Sequence, residues 1–177
     1  MSGKNFEQIK IVIFDLDGTL VNLPIDYEKL RNEIAGILKV RRVNSILNTL
    51  LNINEESRAE IFKILDAYEL NAIKNMREIA EGIKIYNDSR NKVRCLVTLQ
   101  GELAVKEIMR VAGLSFDVII TREFSLDRYE QIKAVIERFN VSPGEVLFVG
   151  DRETDEKAAK KIGCNFILIK GMNDGRK

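Results

Sequence analysis

Ile9-Lys10-Ile11-Val12-Ile13-Phe14-Asp15-Leu16-Asp17-Gly18-Thr19-Leu20 is the stretch on which the fold turns. Ile9 to Phe14 reads as a buried first β-strand, rich in β-branched residues. Two carboxylates, Asp15 and Asp17, leave its carboxyl end one residue apart, and Gly18 behind them lets the backbone turn sharply. On an extended strand the two side chains would point to opposite faces, but a break at Gly18 lets both approach one ligand. Mg²⁺ prefers oxygen ligands and keeps several waters, so one or two such carboxylates and a phosphate oxygen satisfy it. A helix N-cap or an Asx-turn accounts for one aspartate better than for two. A calcium-binding EF-hand loop fits poorly, because its sixth position would be Leu20 in place of glycine and its twelfth Asp26 in place of glutamate.

Four further apolar runs follow, at about 93–97, 116–121, 145–149 and 165–169, with helical patterns at 102–112, 127–139 and 154–162 between them. Gly113 and Gly163 stand where helix C-caps belong, and Ser142-Pro143-Gly144 is a turn into the fourth strand. Strand-helix alternation predicts a parallel sheet covered on both faces, with ligands at the carboxyl ends of its strands. Thr98 ends the second run and Leu99-Gln100-Gly101 leads into a helix. Alone, a β-branched residue there is strand core; at a strand end its hydroxyl and the nearby N–H groups suit a phosphate oxygen. Asp151 directly follows the fourth run, and Asp155 comes four residues later. Taken singly, Asp155 complements a helix dipole and Thr154 is an N-cap.

The first crossover is anomalous. Roughly seventy residues of helical pattern with no strand separate Leu20 from Val93, far beyond an ordinary connection. Ile34, Ile37 and Leu38 share a face, as do Ile46, Leu47, Leu50 and Leu51, then Ile61, Ile64, Leu65 and Tyr68. The segment reads as a helical insertion with its own small core. Its base is expected to hinge near Asn22-Leu23-Pro24 and to return through about Gly82 to Arg90. Gly171 to Lys177 reads as a frayed tail.

Composition bounds the rest. The 177 residues suit one domain with an insertion, and 45% hydrophobic content supports a real core. With 28 basic and 27 acidic residues there is no global attraction to nucleic acid or to an anionic membrane, so any phosphate recognition is local. No apolar leader or span-length run is present, and a cytoplasmic location is expected. Cys95 and Cys164 lie in or beside apolar runs and read as buried fillers. The sequence holds no histidine, which removes every Ser-His or Cys-His triad and the commonest zinc ligand.

Asp15-Leu16-Asp17-Gly18-Thr19-Leu20, Thr98 and Gly150-Asp151-Arg152-Glu153-Thr154-Asp155, in that order at the ends of the first, second and fourth strands, resemble the motifs of the haloacid dehalogenase (HAD) superfamily. Most of its members are magnesium-dependent phosphatases. The resemblance implies an α/β fold, a HAD-like Rossmannoid parallel sheet of strand order 3-2-1-4-5 with helices on both faces and a small helical cap. The core would comprise 1–21 and 91–177, and the cap 22–90. It further implies that Asp15 is the nucleophile, forming an aspartyl-phosphate, and that Asp17 is the acid-base residue. Gly18, Thr98 and Leu99 would contact substrate. Mg²⁺ would be held by Asp15, Asp17 through its backbone carbonyl, and Asp151, with Asp155 in support.

The family also places a lysine or arginine before the helix leading to the fourth strand, often followed by proline. No Lys-Pro occurs here, and Arg128 is the best candidate, with Arg122 and Lys133 as runners-up. Tyr27, Arg31, Lys39, Arg41 and Arg42 are cap residues that could face a substrate. The expected partner is a small phosphorylated metabolite, with similarity to phosphoglycolate phosphatases making phosphoglycolate a first assay. The rival readings are a phosphotransferase of the β-phosphoglucomutase type, a response-regulator receiver, and a degenerate phosphate-binding module. The helical insertion is foreign to receivers, and the full aspartate set argues against degeneracy.

Overall fold

The computed structural model describes residues 6–170, so the tail expected to fray lies outside the described residues. Along the chain run β1 (Ile11–Phe14), β2 (Val21–Asn22), α1 (Tyr27–Leu38), α2 (Ile46–Leu51), α3 (Glu55–Ala72), β3 (Arg77–Glu78), α4 (Ala80–Asp88) and β4 (Val93–Val97). There follow α5 (Glu102–Ala112), β5 (Val118–Ile120), α6 (Arg128–Phe139), β6 (Val146–Gly150), α7 (Glu153–Ile162) and β7 (Asn165–Leu168). Five of these strands form one parallel sheet in the order β5-β4-β1-β6-β7, which is 3-2-1-4-5 when only they are counted.

β1 lies at the centre because every one of its residues is apolar and buried, as a strand covered on both faces requires. Its register sets Phe14 opposite Leu96 on one side and Val149 on the other. Val12 and Phe14 pack with Leu96 and Val149 against Ala104, Val105 and Ile108 of α5. Ile11 and Ile13 point the other way, joining Val97 and Phe148 against Ile132 and Val135 of α6 and Ala159 of α7. Each such aliphatic or aromatic side chain contributes about 1.5–3 kcal/mol relative to exposure. Cys95 and Cys164 are free and belong to this second layer; burial pushes their thiols up to about 12 and about 11.

The segment between Leu20 and Val93 departs from the sequence reading at two points, its strands and Leu51. It is not strand-free: β2 and β3 pair antiparallel, Val21 opposite Glu78 and Asn22 opposite Arg77, closing its base. Two-residue strands are too short to carry a period-2 signal. The expected return segment is α4, a helix laid on the sheet, where Tyr86 stacks edge-on at 5.9 Å from Phe14 and 5.5 Å from Phe116. Gly82 makes this possible, since a Cβ there would overlap the Thr19 carbonyl. Finally, Leu51 is exposed, because six-residue α2 buries only Leu50.

Leu30, Ile34, Leu50, Ile61 and Leu65 form a separate cluster, to which Leu126 of the core side is added. α3, with 18 residues and hence about 27 Å long, runs from this cluster to the main one, where its last residue, Ala72, is buried. Among the described residues no helix is long and apolar enough to cross a membrane.

Candidate active site

The carboxyl ends of β1, β4 and β6 meet at the middle of the sheet. Asp15 continues the ladder beyond β1, its N–H donating to the Val149 carbonyl at 2.9 Å. The chain then turns on the Leu16 carbonyl, which accepts from the N–H groups of Thr19, Leu20 and Val21. Gly18 has φ +96°, a conformation that disfavours any residue with a Cβ, and a Cβ there would overlap the Asp151 carboxylate. A bare backbone at Gly18 thus brings the loop after β6 against the loop after β1.

Asp15 is 4% exposed and Asp17 1%. Asp17 Oδ1 accepts from the Leu23 N–H at 2.8 Å, and its Oδ2 accepts from the Tyr27 hydroxyl at 3.3 Å. Tyr27 opens α1, so the first helix of the insertion touches this aspartate directly.

Arg128, the first residue of α6, joins the elements. Its Nη2 donates to Asp15 Oδ1 at 2.7 Å, its Nε to Asp155 Oδ1 at 3.0 Å, and its Nη1 to the Val97 carbonyl at 2.7 Å and Gln131 Oε1 at 2.9 Å. The guanidinium lies 5.7 Å from the centroid of the Phe148 ring. Two carboxylates, a strand-end carbonyl and a side-chain amide therefore fix one planar cation.

Thr98 is fully buried, its hydroxyl donating to Gln100 Oε1. Gln131 Nε2 donates to the carbonyls of Thr98 at 2.9 Å, Ser125 at 2.9 Å and Thr121 at 3.3 Å. Through Gln131 and Arg128 the end of β4 is bound to Asp15. Sequence reasoning missed Gln131; the available signal was an amide on the otherwise apolar face carrying Ile132 and Val135, three residues after Arg128.

Carboxylate oxygens of Asp15, Asp151 and Asp155 all lie within 4.8 Å of one another. Asp155 stands in the first turn of α7 and is 2% exposed; burial raises its pKa, with the Arg128 guanidinium opposing and Asp15 adding to the rise. Its Oδ2 is buried and accepts no hydrogen bond among the described residues. Three converging carboxylates, one with a bare oxygen, and no nitrogen or sulfur donor among them are the donor set of a hard divalent cation, so these residues fit Mg²⁺.

The runners-up for Arg128 lie elsewhere. Arg122 is buried against Glu69 and Asp66 of α3, and Lys133 is exposed, 3.8 Å from Glu137. Of the cap candidates, Arg41 and Arg42 are exposed and Lys39 is the C-cap of α1 with φ 53°. Arg152, which sequence reasoning passed over, places its Nε 3.9 Å from Asp151 Oδ1.

A family model described as haloacid dehalogenase-like hydrolase matches residues 12–169. An uncharacterized hydrolase of Saccharomyces cerevisiae, YOR131C, is 27% identical, over 97% of this chain and 82% of its own length. The phosphoglycolate phosphatase of Vibrio parahaemolyticus is 24% identical, over 96% of this chain and 87% of its own. The HAD family enzyme bt-2542 of Bacteroides thetaiotaomicron, in complex with magnesium and inorganic phosphate, superposes with a TM-score of 0.61 at 18% identity, covering 95% of this chain and 98% of that one.

Proposed function

We propose that this chain, which belongs to the haloacid dehalogenase-like hydrolase family, is a Mg²⁺-dependent phosphatase acting on a small phosphomonoester. The observation that carries the reading is the convergence of Asp15, Asp151 and Asp155 within 4.8 Å, with Arg128 bridging Asp15 and Asp155. In the first step a carboxylate oxygen of Asp15 bonds to phosphorus as the ester oxygen leaves, and Asp17 gives that oxygen its proton. In the second, Asp17 takes a proton from water, which attacks phosphorus and releases Asp15. Arg128 holds Asp15 in place and lends positive charge to the oxygens of the transferring group, and the Leu99 N–H of the turn after Thr98 offers them a donor. Asp15, Asp151, Asp155 and the Asp17 carbonyl would hold Mg²⁺, which neutralises charge so that an anionic carboxylate can approach an anionic phosphate.

Residues 22–90 act in this reading as the cap, with α4 packed on the core sheet at its base. Tyr27 links that cap to Asp17, so the insertion borders the site. The Vibrio relative makes phosphoglycolate the first physiological candidate to assay. Two free, buried thiols suit the reducing cytoplasm. The decisive experiment is hydrolysis of p-nitrophenyl phosphate and of phosphoglycolate with Mg²⁺ and with EDTA: turnover is expected only with the metal, and full activity in EDTA would overturn the proposal.

A further inference from the structure

Arg122 carries a second buried charge cluster, behind the site and outside the proposed chemistry. It stands two residues beyond β5 and its side chain is 1% exposed. Nη1 donates to Glu69 Oε1 at 2.5 Å and to the Leu99 carbonyl at 3.2 Å; Nη2 donates to Asp66 Oδ1 at 2.5 Å and to the Phe62 carbonyl at 3.4 Å. The backbone N–H of Arg122 donates to the Gln100 carbonyl at 3.4 Å. Glu69, 4% exposed, uses its other oxygen, Oε2, to accept from the Gly101 N–H at 3.0 Å. Gly101 has no Cβ, and one placed there would overlap Asp66 and the guanidinium.

One helix of the insertion, α3, is thus tied to the turn after Thr98: directly at the Gly101 N–H through Glu69, and through the Arg122 guanidinium at the Leu99 carbonyl, while the Arg122 backbone N–H holds the Gln100 carbonyl. Short contacts on both terminal nitrogens of one guanidinium hold a segment in one geometry, although the buried Arg122 Nε has no hydrogen-bond partner among the described residues. Burying an ion cluster is a poor way to gain stability, so its use here points to fixing a conformation.

We infer that Glu69 and Arg122 are positioning residues, which clamp the insertion to the Thr98–Gly101 turn and hold that turn in the shape that receives phosphate. The inference deepens the phosphatase reading and rests on it for the last step only. Arg122 therefore acts on the reaction through the turn, where Arg128 acts on Asp15 itself. A rigid clamp also confines any opening of the cap to parts of the insertion other than α3.

The test uses the full chain with Glu69→Ala and Glu69→Gln, which leave Arg122 paired to Asp66, and not removal of Arg122, which would leave a buried and a half-buried carboxylate facing each other. Amide hydrogen exchange should quicken at least tenfold in peptides covering 98–104, with β6 unchanged. The KM for p-nitrophenyl phosphate and the inhibition constant for inorganic phosphate should rise at least tenfold in Glu69→Ala, with kcat within threefold. Glu69→Gln, which keeps an oxygen for the Gly101 N–H, should fall between. Wild-type exchange at 98–104 in Glu69→Ala, or acceleration spread evenly over all peptides, overturns the clamp. Faster exchange with unchanged KM overturns the positioning role. A wild type that turns over no phosphomonoester overturns the phosphatase reading instead, and the exchange pattern alone then decides the clamp.

Discussion

Arg128, the first residue of α6, is the proposed phosphate-stabilising cation. Its planar guanidinium spreads its donors over four acceptors at once, Asp15, Asp155, the Val97 carbonyl and Gln131 Oε1. The two aspartates of the first loop are separated by their partners: Asp15 faces Arg128, whereas Asp17 is held by the Leu23 N–H and the Tyr27 hydroxyl. That division predicts different defects. Asp15→Asn should cut kcat by on the order of a thousandfold or more and leave no phosphoenzyme, because an amide does not attack phosphorus. Asp17→Asn should lose about a hundredfold or more with ordinary esters yet still form phosphoenzyme slowly from p-nitrophenyl phosphate, whose leaving group needs little protonation. Rapid-quench measurement of acid-stable phosphoprotein distinguishes the two, and wild-type labelling of Asp15→Asn would end the assignment.

Among the elements, α3 has the most unusual burden, a buried Glu69 and a half-buried Asp66 one helical turn apart, both facing one cation. Burial raises Glu69 to about 7; Arg122 and the Gly101 N–H pull it down, and Asp66 adds to the rise. Asp66 is raised too, again by burial, with Arg122 opposing and Glu123 adding to the rise. A carboxyl whose folded value lies above its unfolded one binds more protons when folded. Its effect is therefore to lower stability as pH rises from about 4.5 to about 7, by at most about 1.4 kcal/mol per pH unit, and to change nothing further above that window. Glu69→Gln should flatten this slope. Urea unfolding at pH 5 and pH 8 provides the measurement, and a slope unaltered by the substitution would show that Glu69 does not titrate in that range.

For the whole molecule the carboxylates at the sheet's centre are the dominant electrostatic fact, because the net charge is only +1. Asp15, Asp151 and Asp155 converge only in the fold, so a divalent cation held by them would bind the native state in preference to the unfolded chain. At a hundred times its dissociation constant, Mg²⁺ should stabilise the protein by about 2.7 kcal/mol, raising Tm by roughly 2–4 °C per kcal/mol for a chain of this size. EDTA should reverse the shift, and Asp155→Asn should diminish it. Differential scanning fluorimetry with and without Mg²⁺ reads this without any turnover, and a Tm indifferent to the metal would remove the cation from the site.

What the sequence determined by itself was the sheet and the identity of the acids. Continuous apolar runs such as Ile11–Phe14 and Val146–Gly150 admit only strands buried on both faces, and the side chains just beyond them must share one edge. Asp15, Asp17, Thr98, Asp151 and Asp155 were legible for that reason, as was the separate apolar core of the insertion from its helical periodicity. Other features are decided by contacts between residues far apart in the chain, which no local pattern encodes. Arg128 reaches Asp15 across 113 positions; its place near a helix start ranked it above Arg122 in the sequence, but the contact itself exists only once α6 is packed on the sheet. Glu69 reads in sequence as one more charge on a helix; only the tertiary structure buries it against Arg122 and the Gly101 N–H. Pairing β2 with β3, and laying α4 on the sheet beside Phe14, likewise required the folded core, since a two-residue strand and a half-apolar helix gain their stability from the surfaces they meet.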